Sequence, residues 1–374
     1  MVLRLLARSY PDWDSVLEAA AREGIFPLVA RLLNGPDAPL CPEPVRGRVH
    51  RQFLEAAATS VALACELGRV MAHLRAARTP ALAFKGPALS VQLYGSPCWR
   101  SCEDLDIFVA PHDWPRAQNA LRALGYAPDP SPANYAKNEL RMFGPAVVDL
   151  HRALMPSWCG FRVDFHELYG RAATVNVCGT PVETLCSEDL LLLLCVHAAK
   201  HGWTHLKWAA DIAVLLRAQP GFDWPTLFRI ARRLRAHRRL LVSAGVASRL
   251  FEVPLPAPLD EKLRCDPAAQ ILAAEICSIP PSLREYWPRM RLLIATRDDW
   301  HGRLRICLRL ARLTLRLTEA DRPGGGFLQS CLARPARLLR VHGPAILRVL
   351  RSGGFTGSPD AASATPASPA RPPR

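Results

Sequence analysis

Between residues 79 and 185 the spacing of apolar residues stops being helical and becomes strand-like, while on both sides of that stretch it stays helical. This switch limits the fold to a small sheet set between helical regions. Ala81-Leu82-Ala83-Phe84 is a short apolar run that meets Lys85-Gly86-Pro87, and residues 88–94 read as one or two helical turns. Leu105-Asp106-Ile107-Phe108-Val109 predicts a buried strand, and residues 113–124 a helix closed by Gly125. Residues 140–143 and 147–151 predict two further strands broken at Gly144-Pro145, and 175–177 with 182–184 a hairpin around Gly179-Thr180-Pro181. Upstream, residues 12–33 carry apolar positions at helical spacing up to Asn34-Gly35-Pro36, and Pro44 opens a long helix reaching about Ala77. Helical spacing resumes at Ser187 and continues to about residue 350; residues 353–374, rich in Gly, Ser, Ala and Pro, read as a disordered tail. The expected architecture is α+β: a helical region at 1–78, a small mixed-sheet core at 79–185, a second helical region at 186–352, and the tail.

Any chemistry is expected in the core. Asp104 and Asp106 flank Leu105, and alternation along a strand projects them to the same side, about 6.6 Å apart along the backbone. Two such carboxylates need a counter-ion, and their hard oxygens suit Mg²⁺; two ions about 3.5–4 Å apart suit phosphoryl chemistry. Asp149, inside Val147-Val148-Asp149-Leu150, can supply a third carboxylate from a neighbouring strand. Taken alone, an Asp-x-Asp is a weak signal, more often a strand-end pair neutralised here by Arg100 or Arg116. What precedes it makes the difference. A glycine where a strand becomes a helix lets backbone N–H groups approach a phosphate, so Lys85 and Gly86 are the candidate nucleotide-binding turn. Lys85 adds a mobile positive charge, and Arg100 a planar fork for phosphate oxygens.

The charge points elsewhere. The 374 residues carry 48 Lys and Arg against 33 Asp and Glu, a formal charge of +15. Residues 281–374 hold 17 Arg and 6 acidic residues, so most of the excess is C-terminal. A protein that wraps nucleic acid spreads basic residues around its binding face, so nucleic acid is not the expected partner. Arg305, Arg309, Arg312 and Arg316 form one helical stripe, with Arg334, Arg337, Arg340, Arg348 and Arg351 repeating the idea. Residues 301–352 are therefore a candidate surface for a peripheral membrane or protein contact. The start lacks the continuous apolar region of a signal peptide, and no run of about 18 uncharged apolar residues occurs. The expected location is the cytoplasm, with the twelve Cys as reduced thiols.

In combination, Leu82-x-x-Lys85-Gly86-x-x-Leu89-x-x-x-x-Tyr94, Arg100-x-x-x-Asp104-x-Asp106-Ile107-x-Val109 and Asp149-Leu150-His151 form a pattern. It resembles the bacterial, largely uncharacterised nucleotidyltransferase family of the DNA polymerase beta superfamily. The resemblance reaches upstream to Pro11-Asp12-Trp13. Downstream it includes His197-Ala198-Ala199-Lys200-His201-Gly202-Trp203-x-x-Leu206-Lys207-Trp208-x-x-Asp211-Ile212. It implies a polymerase beta-like sheet carrying the catalytic carboxylates, with Asp104 and Asp106 binding a metal pair and Asp149 completing it. Gly86 would fill the glycine of the superfamily's Gly-Ser turn. A literal Gly95-Ser96 follows a helix instead of a strand, so Lys85-Gly86 is the preferred counterpart.

His197, His201 and His205 recur at i, i+4 and i+8 and would share a face if one helix ran through them, with Gly202 as a point of interruption. They lack the Glu of a His-Glu-x-x-His zinc site, so core packing is the expected role of the first two. The function expected is Mg²⁺-dependent transfer of a nucleoside monophosphate from an NTP to an unidentified acceptor, a small molecule, sugar phosphate or protein, with release of pyrophosphate. The alternative is a non-catalytic nucleotide-binding or scaffold protein on a membrane-linked assembly.

Overall fold

Asp12 starts the first helix, α1 (Trp13–Arg22), by accepting from the backbone N–H groups of Asp14 and Ser15. Glu23 and Gly24 turn the chain into α2 (Phe26–Leu33), and Trp13, Leu17, Phe26 and Leu33 close a small core with Val45 and Val49. Those two valines open α3 (Glu43–Ala76), 34 residues long. Its second half turns Leu63, Leu67, Val70, Met71 and Leu74 inward, the recurrence expected of an amphipathic helix. This computed structural model describes residues 12–35, 41–130, 139–218, 221–279 and 287–308. All belong to one compact unit that extends to Asp321; a second, Arg322–Arg374, lies outside the described residues.

The sheet follows. Strand β1 (Ala81–Ala83) leads through Lys85 into α4 (Gly86–Tyr94), and β2 (Leu105–Val109) leads to α5 (Trp114–Ala123). After the two-residue β3 (Ala127–Pro128) come β4 (Glu139–Phe143) and β5 (Val147–His151). The strand order is β1-β2-β5-β4-β3, with β2 and β5 parallel and every other pair antiparallel, a small mixed sheet. Alternation sorts its two faces. Leu105, Ile107, Val109, Leu140, Met142, Val148 and Leu150 are all buried against α3 and α5. Asp106, Glu139, Arg141, Asp149 and His151 occupy the other face.

A short helix, α6 (Phe165–Tyr169), precedes the hairpin of β6 (Ala173–Val177) and β7 (Thr180–Thr184). The helical region then runs through α7 (Ser187–Lys200), α8 (Leu206–Ala218), α9 (Trp224–Arg233) and α10 (His237–Phe251). It continues with α11 (Ala257–Arg264), α12 (Pro267–Ser278) and α13 (Trp287–Ala295), and residues 300–308 are helical too. Leu190 to Val196 are buried all round α7, which marks it as a central helix. The packed cores cross the boundaries read from the sequence. One joins α3 to the sheet across residue 78, and another runs from Leu82 to Leu292 across residue 185. No helix among the described residues is long and apolar enough to cross a membrane. Arg309 and all later members of the Arg stripe lie outside the described residues, as does the tail.

Candidate active site

Parallel pairing of β2 with β5 sets Asp106 directly beside Asp149, with Asp104 one residue ahead of β2 on the same side. Three carboxylates thus meet at one end of a face whose reverse side is wholly apolar. Asp106 is buried, and its Oδ1 accepts from Lys85 Nζ at 3.0 Å and lies 3.1 Å from His151 Nε2. Burial opposes its charge, but the Lys85 ammonium and the His151 hydrogen bond prevail and hold its carboxyl well below the usual range. The reverse holds at Asp104. Burial and the like charges of Asp106 and Asp149 push it up to about 6, against the opposing pull of Lys85 and Arg141.

Arg141 stands opposite Asp149 in the β4–β5 register and grips it with two hydrogen bonds of 2.8 Å, its Nη2 also lying 3.7 Å from Asp104. His151 is fixed from behind by the edge of Phe84, with ring centroids 5.0 Å apart, and by Glu139, whose carboxylate is 3.7 Å from Nδ1. Lys85 and Arg141 occupy the carboxylates, and among the described residues no three metal-ligating side chains converge closely enough to hold an ion. The donor chemistry fits a hard divalent cation at Asp104 and Asp106, whose carboxylates lie on the same side of β2. Asp149 is taken up by Arg141, whose side chain is half-exposed.

Gly86 begins α4 at φ 56°, and a Cβ built there would lie 2.7 Å from the Asp104 carbonyl oxygen. Only glycine allows both the left-handed backbone and this approach. The helix N-terminus therefore begins against the carboxylate cluster, with Lys85 at its N-cap position. Gly95, also left-handed, ends the same helix, and Ser96 caps the turn that follows.

Arg100, expected at phosphate, is anchored first by protein. Its Nε donates to Asp211 Oδ2 at 2.9 Å, and Tyr94 donates to Oδ1 of the same carboxylate at 2.9 Å. Asp211 is fully buried in α8, so this triad ties the loop before β2 and the end of α4 to the helical region. No partner among the described residues engages the two terminal amino groups of Arg100. Lys85, Gly86, Asp104, Asp106 and Asp149 thus come together, whereas Arg100 pairs with the buried Asp211 of α8.

The three histidines do not ride one helix. α7 ends at Lys200, and Gly202 and Trp203 adopt left-handed backbone that reverses the chain. Their rings gather instead on Trp208, with centroids 5.3, 4.9 and 4.9 Å from it for His197, His201 and His205. Burial and the neighbouring Lys85, His201, Lys200 and Arg100 hold the His197 pKa well below its ordinary value. The sequence reading gave no role to Arg141 or His151. Alternation from Asp149 to His151 was the available signal for the histidine, and Arg141 needed the β4–β5 register.

Residues 9–252 match a family described as uncharacterised nucleotidyltransferase. The chain belongs to this family. It is accordingly an enzyme of the class that transfers nucleoside monophosphate groups. A solution structure of the antibiotic-resistance factor ANT(2'')-Ia aligns with 59% of this chain and 96% of its own at 16% identity and TM-score 0.31. A crystal structure of ANT(2")-Ia with adenylyl-2"-tobramycin aligns with 57% and 97% at 15% identity and TM-score 0.29. An antigenic nucleotidyltransferase-like protein from Paracoccidioides brasiliensis aligns with 51% and 96% at 16% identity and TM-score 0.30. These likenesses are remote, and no curated protein matches the chain.

Proposed function

We propose that this nucleotidyltransferase works with Mg²⁺, transferring a nucleoside monophosphate from an NTP to an acceptor oxygen through Asp104, Asp106 and Asp149. The observation that carries the reading is the juxtaposition of Asp106 with Asp149 across β2 and β5, with Asp104 on the same side and its carboxyl pushed up to about 6 by burial and then by the like charges of its neighbours. Such a cluster is costly without cations and is suited to them.

Asp104 and Asp106 would hold the ions, with Asp149 completing the set. Bound Mg²⁺ would lower the pKa of the acceptor hydroxyl and neutralise charge developing on the phosphates. The Lys85-Gly86 turn presents a cation and a helix N-terminus to the triphosphate. Arg100, braced through Nε by Asp211, offers its terminal amino groups to phosphate oxygens. Lys85 and Arg141, which pair with Asp106 and Asp149, are the cations that bound ions would replace on those carboxylates. The acceptor oxygen bonds to the α-phosphorus, the α–β bridging bond breaks, and pyrophosphate departs while a carboxylate takes the acceptor's proton. The remote ANT(2'') structures include an adenylylated aminoglycoside, so hydroxylated small molecules belong in the acceptor panel together with sugar phosphates and proteins.

The test is pyrophosphate release from each of the four NTPs with Mg²⁺ and the panel. Release that is lost in Asp104→Asn and Asp106→Asn, with both variants folded, supports the reading. NTP binding without turnover across the panel supports a non-catalytic nucleotide-binding role.

A further inference from the structure

Lys207, near the start of α8, is half-buried, and among the described residues its ammonium makes no hydrogen bond or ion pair. Burial lowers its pKa first and the nearby Arg100 charge next, while Asp211, Glu103 and Asp104 act in the opposite direction. Lys207 also stands one helical turn before Asp211 in α8, the carboxylate that holds Arg100, so it neighbours the guanidinium assigned to phosphate. Lys85 and Arg141, by contrast, are already engaged by Asp106 and Asp149.

The turn between α1 and α2 holds this lysine in place. The buried Glu23 accepts from the Leu206 backbone N–H through Oε2 at 3.2 Å, and from the Lys207 N–H through its carbonyl at 3.2 Å. Arg22 O lies 3.1 Å from His205 Nδ1. Gly24, at φ 71°, lets the lysine stem lie on its backbone: a Cβ there would fall 2.5 Å from Lys207 Cδ, and close to Cγ and Cε as well. A segment 180 residues away in sequence thus caps the start of α8 and clamps the stem of its lysine.

We propose that Lys207 binds the triphosphate of the nucleotide, and that the Glu23–Gly24 turn is the device that aims it. The inference rests on the nucleotide site described above. An ammonium held ready at a site edge contacts phosphate as a point charge, and the nucleotide supplies the acceptor that the protein does not.

The test is equilibrium binding of α,β-methylene analogues of the four NTPs, with Mg²⁺, to the full chain. Lys207→Met keeps a stem to pack on Gly24 and removes the charge. It is expected to weaken triphosphate binding about tenfold or more, leave binding of the nucleoside unchanged and preserve thermal stability, while Lys207→Arg restores part of the loss. Gly24→Ala is expected to weaken binding on its own, yet add nothing to Lys207→Met, because it acts through the same side chain. Wild-type binding matched within twofold by Lys207→Met overturns the lysine assignment alone. Equal losses from Gly24→Ala with and without Lys207 overturn the aiming role. Wild-type protein that binds none of the analogues overturns the nucleotide site itself and this inference with it.

Discussion

Replacing Gly86 with Ala probes the contact on which the site is built. Two separate costs arise. At φ 56° an L-residue sits in the left-handed region, a cost of about 1–2 kcal/mol. The new Cβ would also lie 2.7 Å from the Asp104 carbonyl oxygen, where ordinary contact starts at 3.4 Å, so one of the two backbones must yield by 0.7 Å. Overpacking of this kind costs about 1–3 kcal/mol. Together about 2–5 kcal/mol is expected, within the roughly 5–15 kcal/mol that keeps a typical domain folded. The larger effect is expected on function, because the atom pressed upon belongs to Asp104 and catalytic groups tolerate misplacement of only about 0.5 Å. A fall of about 100-fold in turnover follows from a shift approaching 1 Å. Gly95→Ala is the control: its φ is 73°, yet a Cβ there meets nothing within 4 Å, so it carries the backbone cost alone. Urea denaturation and pyrophosphate release read the two variants. If Gly86→Ala is no less stable than Gly95→Ala and keeps activity within threefold of it, the close approach of the turn to Asp104 is not what shapes the site.

Three further outcomes are expected. Asp211→Ala removes the shared acceptor of Arg100 and Tyr94 and leaves a buried guanidinium unpaired, so urea unfolding should show a loss of about 3–5 kcal/mol; a loss under 1 kcal/mol would show that the triad is not structural. Mn²⁺ affinity of the nucleotide-free protein should be flat above pH 7 and fall as pH drops below about 6, by up to about tenfold per unit, because a proton on the raised Asp104 carboxyl competes with the ion; affinity unchanged between pH 7 and 5 would contradict the electrostatic reading. Arg141→Gln should tighten Mn²⁺ binding a few-fold, because it frees Asp149 and removes a cation 3.7 Å from Asp104; weaker binding would mean that Arg141 holds Asp149 in its binding position.

The strands were legible where burial imposes a simple pattern. Leu105–Val109 and Val147–His151 fall where their apolar runs place them, and α3 spans nearly the interval opened by Pro44. Pairing was not legible. That β2 lies parallel to β5, with Asp106 against Asp149, is decided by how two apolar faces share the α3 and α5 stripe, and no local residue encodes it. For the same reason Arg141 was invisible as the partner of Asp149, though it lies only eight residues away. The histidines share no single helix because Gly202 and Trp203 take left-handed backbone, the interruption that Gly202 already signals in the sequence. Lys207 and Glu23 belong to segments whose contact is purely tertiary.

The central claim is that carboxylates on the β2–β5 face direct attack to the α-phosphorus of a nucleotide. The direct measurement follows two labels in parallel, [α-³²P] and [γ-³²P] NTP, with Mg²⁺ and an acceptor that supports pyrophosphate release. The α label is expected to move to the acceptor and the γ label to leave in pyrophosphate, with both transfers lost in Asp104→Asn and Asp106→Asn. Appearance of the γ label on the acceptor, or α-label transfer undiminished in both variants, would contradict it.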